Sequence, residues 1–546
     1  MAASNPSVSP VVLATLNAKY IHASLGLRCL LANMDLHGGT GLRAQCVLRE
    51  FVIQQRPEQI VEELLGLSPR IIGFGIYIWN VLETTQVVRL LKALRPDIKI
   101  VLGGPEVSHE TEGQAICQLA DHTITGWGDV SFPKVCRALL DGPKPLMKVI
   151  AGEQPPLADL ALPYHEYTDK DLAQRLLYVE ASRGCPFKCE FCLSSLDKTA
   201  WAFELDRFMA EMQLLYDRGA RNFKFVDRTF NLKVDFSVRI LQFFLDRLMQ
   251  DSGTGLAAPS LFVHFEVVPD SLADKLKVLI AQFPAGTLQF EVGIQSFNPE
   301  VQQRLSRRQD NLKTADNLRW LVTGSHAHVH ADLIFGLPGE TLQSFADGFD
   351  KLYALGPHEI QFGILKRLRG TPITRHTIDF AMVYDPQTPY TILQNSTVDF
   401  AGMQRIKRFA RYWEMVANSG RFAKAMQLLL LPGSAFGHFL NWSDWLWLTT
   451  GKTHEFAYEK LVDLLHLHLT EARGLDDAQV RAALLADYQG SGARGRPRCI
   501  ADLLDAVRKP APLSANPGRL PRSERQGRHV AQTLLAEEIR QAAAAA

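Results

Sequence analysis

Along the first 145 residues, short apolar runs alternate with segments whose apolar positions recur every three or four residues. VVLATL (Val11–Leu16), AQCVLREF (Ala44–Phe51), IIGFGIYIW (Ile71–Trp79), IKIVLGG (Ile98–Gly104) and HTITGWG (His122–Gly128) read as five strands. Helical patterns over Leu25–Asn33, Pro57–Leu67 and Leu82–Leu94 lie between them. Near-continuous apolar strands separated by amphipathic helices predict a parallel sheet covered on both faces. Residues 10–145 are therefore expected to form an α/β domain of flavodoxin-like or Rossmann-like type, with its ligand site at the carboxyl ends of the strands.

Residues 146–175 are richer in proline and polar residues and read as a linker. A second series follows over 176–370, with strand-like runs at Leu176–Gly184, Asn222–Asp227, Leu261–Val268, Leu288–Gln295, His328–Gly336 and Glu359–Lys366. Amphipathic stretches such as Asp206–Arg218, Asp235–Met249 and Thr341–Leu355 separate them. Six β/α units predict a partial TIM-type barrel whose chemistry comes from the C-terminal strand ends. Over 371–485 strand alternation gives way to aromatic-rich helices, Phe400–Ser419, Phe436–Trp447 and His454–Thr470, a helical C-terminal module. Its FLNWSDWLWL cluster reads as core, with a substrate pocket as the alternative. Residues 486–546 read as a flexible tail, basic over 491–529 and ending in five alanines.

Composition narrows the possibilities. A chain of 546 residues is too long for one ordinary core. With 59 Lys and Arg against 58 Asp and Glu, it gives no global reason to expect a nucleic-acid partner. No apolar run approaches the roughly 18–20 residues that span a bilayer, and the N-terminus lacks the basic segment of a secretory signal. A cytoplasmic chain with reduced thiols is expected. Of eight cysteines, five are scattered and read as small buried hydrophobes, whereas three fall within eight residues.

The expected strand ends of the first domain carry its unusual residues. Asn17 to His22 follow strand one, and Tyr77, Trp79 and Asn80 follow strand three. Gly103-Gly104-Pro105 follow strand four, and Gly126-Trp127-Gly128-Asp129 follow strand five. Such loops are either ordinary tight turns or a ligand site. Neither a G-x-G-x-x-G nor a P-loop follows strand one. In the second series the stretch Glu180-Ala-Ser-Arg-Gly-Cys185-Pro-Phe-Lys-Cys189-Glu-Phe-Cys192 lies just after the first strand. Three thiolates spaced this way satisfy three irons of a [4Fe–4S] cluster and leave the fourth iron open. Structural zinc is the alternative, but no Cys or His follows Cys192 within 70 residues to close a tetrahedral site.

C-x-x-x-C-x-x-C after the first strand of a (β/α)6 barrel resembles the radical S-adenosylmethionine (radical SAM) superfamily, most closely its coproporphyrinogen-dehydrogenase-like branch. The resemblance implies that Cys185, Cys189 and Cys192 hold the cluster. It implies that the open iron binds SAM, whose reductive cleavage yields a 5′-deoxyadenosyl radical. It places Phe191, Glu266 in HFEVVPD, Gln295 in GIQSFNPEV, Arg307 and Asp332 in ADLIFGLPGE as SAM contacts. Asp227, which the resemblance also makes a SAM contact, stands where the family has a glycine-rich motif that holds the SAM amino group, and Asp227-Arg-Thr-Phe-Asn231 departs from that motif. A Rossmann-like domain before such a barrel resembles the cobalamin-binding radical SAM enzymes, and VLGGPEVS followed by GWGDVSF resembles their last two corrin-facing loops. This makes Asn17, His22, Tyr77, Gly103, Gly104, Pro105, Gly126 and Gly128 the expected cobalamin contacts. Asp35-Leu-His37-Gly-Gly-Thr40-Gly41 misses the cobalt-ligating D-x-H-x-x-G by one place and follows a helix, so cobalamin without a His37 ligand is expected. The segment from PYTILQNSTVDF to NSGRF resembles an uncharacterised domain appended to a subset of these proteins.

The leading expectation is methyl transfer to an unactivated carbon of a small molecule, with electrons from a donor such as flavodoxin or ferredoxin. The alternatives are a cobalamin-dependent rearrangement or oxidative cyclisation, a cobalamin-free porphyrinogen-type oxidase and, remotely, a cobalamin or iron–sulfur sensor.

Overall fold

A computed structural model describes residues 9–197, 199–253 and 261–506. They fall into two compact units, the first from residues up to 228 with 366–374 and 385–391, the second from 229–365, 375–384 and residues from 392 onward. The expected basic tail lies mostly outside the described residues.

The first unit contains strands β1 (Val11–Asn17), β2 (Cys46–Val52), β3 (Ile71–Gly75), β4 (Lys99–Gly103), β5 (His122–Thr125) and β6 (Val149–Ala151). They form one sheet in the order β2-β1-β3-β4-β5-β6, and every pair in it with a recorded register is parallel. Helices α1 (Leu25–Ala32), α2 (Met34–Gly38), α3 (Pro57–Gly66), α4 (Val81–Leu94), α5 (Ala115–Leu119) and α6 (Ser131–Asp141) connect them. Alternation along β1 sends Val12, Ala14 and Leu16 into a core with α3, α4 and α5, and Val11 and Leu13 into one with α1, α2 and α6. Each fully buried aliphatic side chain contributes about 1.5–3 kcal/mol.

Five strands were legible, and the sixth is a correction. β6 comes from the segment expected to be a linker, pairing with β5 from Thr123↔Val149 to Thr125↔Ala151. That segment is packed rather than loose: Leu157, Leu160, Tyr164 and Tyr167 are buried, and α7 (Asp169–Gln174) begins with a Thr168 capping box.

The strand order reverses direction between β1 and β3, the crevice where doubly wound sheets bind ligands. Buried Asn80 fastens it. Its amide donates to Leu16 O and Gly75 O at 3.1 Å, and its Oδ1 accepts from Tyr77 N at 2.8 Å.

This unit also holds β7 (Leu177–Val179), a two-residue antiparallel pair of β8 (Ser182–Arg183) and β9 (Trp201–Ala202), helix α8 (Leu205–Asp217) and β10 (Asn222–Phe225), parallel to β7. The second unit continues with α9 (Val234–Gly253), β11 (Phe262–Val267), α10 (Asp274–Ile280), β12 (Leu288–Gln295), α11 (Pro299–Arg304), α12 (Asn311–Thr323), β13 (His328–Phe335), α13 (Leu342–Ala354) and β14 (Glu359–Ile364). β11 to β14 are parallel neighbours in chain order. Strands β7, β10 and β11–β14 with their helices have the succession of a partial (β/α)6 barrel.

Helices α14 (Phe400–Met415), α15 (Ala423–Leu430), α16 (Ala435–Thr450), α17 (Tyr458–Leu467) and α18 (Asp477–Gly490) follow. Phe439, Trp442 and Leu446 of the aromatic cluster are fully buried, so that cluster is core. Helix α18 runs past the expected start of the tail because Val480, Leu484 and Tyr488 form one buried stripe.

Candidate active site

The first unit contains a cavity of about 750 Å³ at the carboxyl ends of its sheet, within the usual range for ligand sites. Asn17, His22, Tyr77, Gly103, Gly104, Gly126 and Gly128 all line it. Pro105 does not: it opens a one-turn 3-10 helix whose Glu106 and Val107 are buried. Gly104 is required by the turn itself. Its φ is +108°, and a Cβ there would meet Ile76 O at 2.5 Å.

Polar groups on the wall are held in place. The Asn17 amide donates to His22 O at 2.8 Å and to Glu50 Oε1 at 3.1 Å. His22 Nδ1 lies 2.7 Å from the Tyr178 hydroxyl. Burial, with Lys224, Lys19 and Arg175 nearby, holds the His22 imidazole below its ordinary pKa. Tyr77 stacks on Trp79 with ring centroids 4.4 Å apart. His37 is elsewhere, on α2, with Nε2 3.2 Å from Asp159 O.

Part of the remaining wall comes from residues outside the expected cobalamin contacts. Tyr178, Glu180, Arg183, Gly184 and Asp197 flank the cysteine loop, and Cys29, Trp127 and Asp129 face them. Cys29, expected as filler, sits on this wall with Sγ 3.6 Å from Arg183 Nη2. For Trp127, Asp129, Arg183 and Gly184 the signal in the sequence is their place inside the GWGD and ASRGC motifs; Cys29, Tyr178, Glu180 and Asp197 lie in neither, and no spacing rule pairs Arg183 with Asp129.

In the cysteine loop, Cys185 and Cys189 are buried and Cys192 is half-buried. The Cys185 thiol is pushed up mainly by burial, and both neighbouring thiols add to this, so the three sulfurs sense one another. Among the described residues no three His, Cys, Asp or Glu converge as around a single ion. The donor set is three thiols on one loop, which suits a cluster with one open iron. Cysteine ligands of a cluster must be thiolates, and binding would release their protons.

Of the expected SAM contacts, Phe191 is half-buried in this loop. Asp227, after β10, is buried, accepts from Ala181 N at 3.0 Å and from Ser182 Oγ at 2.5 Å, and is pushed up to about 7 by burial. The other four belong to the second unit. Glu266 lies near the end of β11 and Asp332 on β13, where His330 Nε2 stands 3.4 Å away. Gln295 ends β12 with a φ of +69°, at a register shift against β13. Bulges of this kind re-aim side chains near active sites. The Arg307 guanidinium donates to Gly293 O, bracing that bulge.

One face of the β11–β14 sheet is rich in polar side chains. Glu266, Glu291, His330 and Glu359 share one rung, His264 pairs with Glu291 at 3.2 Å and His328 with Glu359 at 3.1 Å. The interior of a barrel that serves only as core is filled by branched aliphatics. A polar face of this kind suits a ligand with hydrogen-bonding groups.

Comparison with known proteins agrees with this geometry. Residues 179–352 match the radical SAM superfamily model, residues 11–136 the B12 binding domain, and residues 378–508 a protein of unknown function, DUF4080. The chain is 24% identical over 340 residues to 2-(S-pantetheinyl)-carbapenam-3-carboxylate methyltransferase of Streptantibioticus cattleyicolor, covering 56% of this chain and 49% of that protein. It is 25% identical over 339 residues to the cobalamin-dependent radical SAM methyltransferase TokK of Streptomyces tokunonensis, covering 56% and 47%. The chain thus spans about half the length of these relatives. The cobalamin-dependent SAM radical enzyme OxsB, solved with aqua-cobalamin and SAM bound, has the same fold at a TM-score of 0.56 and 12% identity, covering 88% of this chain and 84% of that one. The chain thus combines a B12 binding domain, a radical SAM region and a following DUF4080 region, and the first two imply cobalamin, SAM and a [4Fe–4S] cluster as cofactors.

Proposed function

We propose that the chain is a cobalamin-dependent radical SAM methyltransferase acting on an unactivated carbon of a small, polar molecule. The observation that carries the reading is the cavity, which has the strand ends of the B12-binding sheet on one side and the flanks of the cysteine loop on the other. The cofactors supply a carbon-centred radical from SAM and a transferable methyl group. The protein's own residues do the rest. Cys185, Cys189 and Cys192 hold the cluster, and the loop buries two of them against water. Phe191, Asp227, Glu266, Gln295, Arg307 and Asp332 are assigned as SAM contacts, and Arg307 also braces the strand end that carries Gln295. Asn17, His22, Tyr77, Gly103, Gly104, Gly126 and Gly128 form the corrin-facing wall, and His37 is not a cobalt ligand. The polar face of β11–β14 orients the substrate through hydrogen bonds. A flavodoxin or ferredoxin of the cytoplasm supplies the electrons.

The test begins with the chain expressed with cobalamin and reconstituted anaerobically. Expected are cobalt and about four irons per chain, and 5′-deoxyadenosine formation that Cys189→Ala abolishes. A labelled SAM methyl group should then appear in a product drawn from an unbiased metabolite extract. Products of unchanged methyl count would redirect the reading to rearrangement or oxidative cyclisation. Iron without cobalt would redirect it to the porphyrinogen-type oxidases. Retained 5′-deoxyadenosine formation by Cys189→Ala would refute the cluster assignment.

A further inference from the structure

The cysteine loop is fastened at both ends to the β5 loop of the cofactor sheet. At its start, Arg183 donates to both Asp129 oxygens at 2.9 and 3.1 Å and to Glu180 at 2.8 Å, with its guanidinium 4.9 Å over the Trp127 ring. At its end, Asp197 O accepts the Cys185 N–H at 3.1 Å, while Asp197 Oδ2 accepts the Trp127 indole N–H at 2.9 Å. The pairing Arg183↔Trp201 closes the loop, and Trp201 meets Trp127 edge to face at 5.9 Å. Gly184 makes the sharp entry, at a φ of +85° where a Cβ would meet Thr199 Oγ1 at 2.6 Å. Trp127, Asp129, Arg183 and Asp197 also line the cavity. The same side chains therefore face the cavity and fix the backbone of the cysteine loop.

We propose that Trp127 and Asp197, with Arg183, are positioning residues that couple the two cofactors, so that a corrin in the cavity orders the cysteine loop and cobalamin and cluster bind cooperatively. This rests on the cavity and the cysteines having the roles proposed above. A corrin against Trp127 restrains the indole, and through Asp197 it restrains the Cys185 backbone, so part of the ordering that cluster binding demands is already done. Coupling between binding equilibria is reciprocal. The cluster must therefore raise cobalamin affinity by the same factor that cobalamin raises cluster affinity.

The experiment titrates the full chain anaerobically with hydroxocobalamin, following its absorbance, once with the cluster reconstituted and once with it removed. Wild type should bind at least about fivefold tighter with the cluster present, the lower end of typical coupling. Trp127→Phe keeps the ring but loses the N–H, and should bring that ratio towards one. Asp197→Asn, which keeps an acceptor oxygen, should preserve it. Iron retention after chelator challenge should rise when cobalamin is present, and that rise should be lost in Trp127→Phe. A merely structural role would weaken binding in both cluster states and leave the ratio unchanged. A wild-type ratio near one, or a full ratio in Trp127→Phe, overturns the coupling alone. Absence of cobalamin binding in both states overturns the assignment of the cavity, and the coupling with it. Should Trp127→Phe not fold, Asp197→Ala removes the same bond and is read the same way.

Discussion

Asp227 stands where the superfamily has a glycine-rich motif, and its surroundings explain how a carboxyl can occupy that place. It is buried and holds the backbone of Ala181 and the hydroxyl of Ser182, four and three residues before Cys185. These two bonds favour the charged form, but burial outweighs them and pushes the group up to about 7. The sign of the consequence follows. The unfolded chain releases this proton near pH 4 and the folded chain near pH 7, so stability is lost as pH rises through that window and levels off above it. Between pH 5 and 8 wild type should lose about 2.6 kcal/mol relative to Asp227→Asn, from the 1.4 kcal/mol that each pKa unit represents. Chemical denaturation of both proteins at several pH values checks this, and parallel curves would remove Asp227 as the titrating group. Residues of this kind divide sharply in legibility. The cysteines could be read because the chemistry requires a fixed local spacing. Arg183 could not, because its partner Asp129 is 54 residues away; nor could the backbone strain at Gln295.

At the scale of elements, the least legible piece is what binds the expected linker to the cofactor domain. Arg28 of α1 is 2% exposed, and its guanidinium reaches Glu50 of β2 and Asp171 of α7, both at 2.9 Å. Arg175 joins the same two carboxylates, and Arg28 lies 4.7 Å over the Tyr167 ring. Two cations and two anions balance while all four remain. Arg28→Met keeps most of the volume but leaves two buried carboxylates with one cation. Breaking a buried ion pair from one side costs about 3–5 kcal/mol, so Arg28→Met should lower the urea midpoint by that equivalent. Glu50→Gln in the same background should recover part of the loss; a fully additive double variant would show that the groups act independently. Sequence periodicity reads the apolar half of such a domain well, since β1, β3 and β4 carry near-continuous apolar runs. It misses β6, which has only three residues and no run to detect. It also stops short of the end of α18, where the Gly- and Arg-rich composition beyond Gly490 masks the buried stripe of Val480, Leu484 and Tyr488. The polar face of β11–β14 fell between these cases, as its alternation marks strands and says nothing of what the polar side faces.

At the scale of the molecule, the DUF4080 helices are part of the core of the second unit. The outward face of β14 and the inner face of α13 present Phe362, Phe345 and Phe349. Onto these pack Phe409 and Trp413 of α14 and Phe436 of α16, with centroid distances of 5.1 Å for Phe362–Phe409 and 4.8 Å for Phe349–Trp413. Asn418, just beyond α14, accepts from Ile360 N at 3.1 Å and donates to Ile360 O at 2.9 Å. It satisfies backbone groups of β14 that would otherwise form an open sheet edge, a template for aggregation. Phe409 is fully buried among these rings, and truncating a buried Phe to Ala costs about 3–5 kcal/mol. Phe409→Ala should therefore unfold at a clearly lower denaturant concentration, although it lies far along the chain from any expected cofactor contact. A chain ending at residue 377 should fare worse, because it uncovers the aromatic face and the β14 edge together. It is expected in the insoluble fraction, or as a soluble aggregate on size exclusion, with its B12-binding sheet intact in sequence but no recoverable cofactor binding. A monodisperse truncated protein with wild-type iron and cobalt content would show instead that the DUF4080 helices are an accessory to a barrel that stands without them.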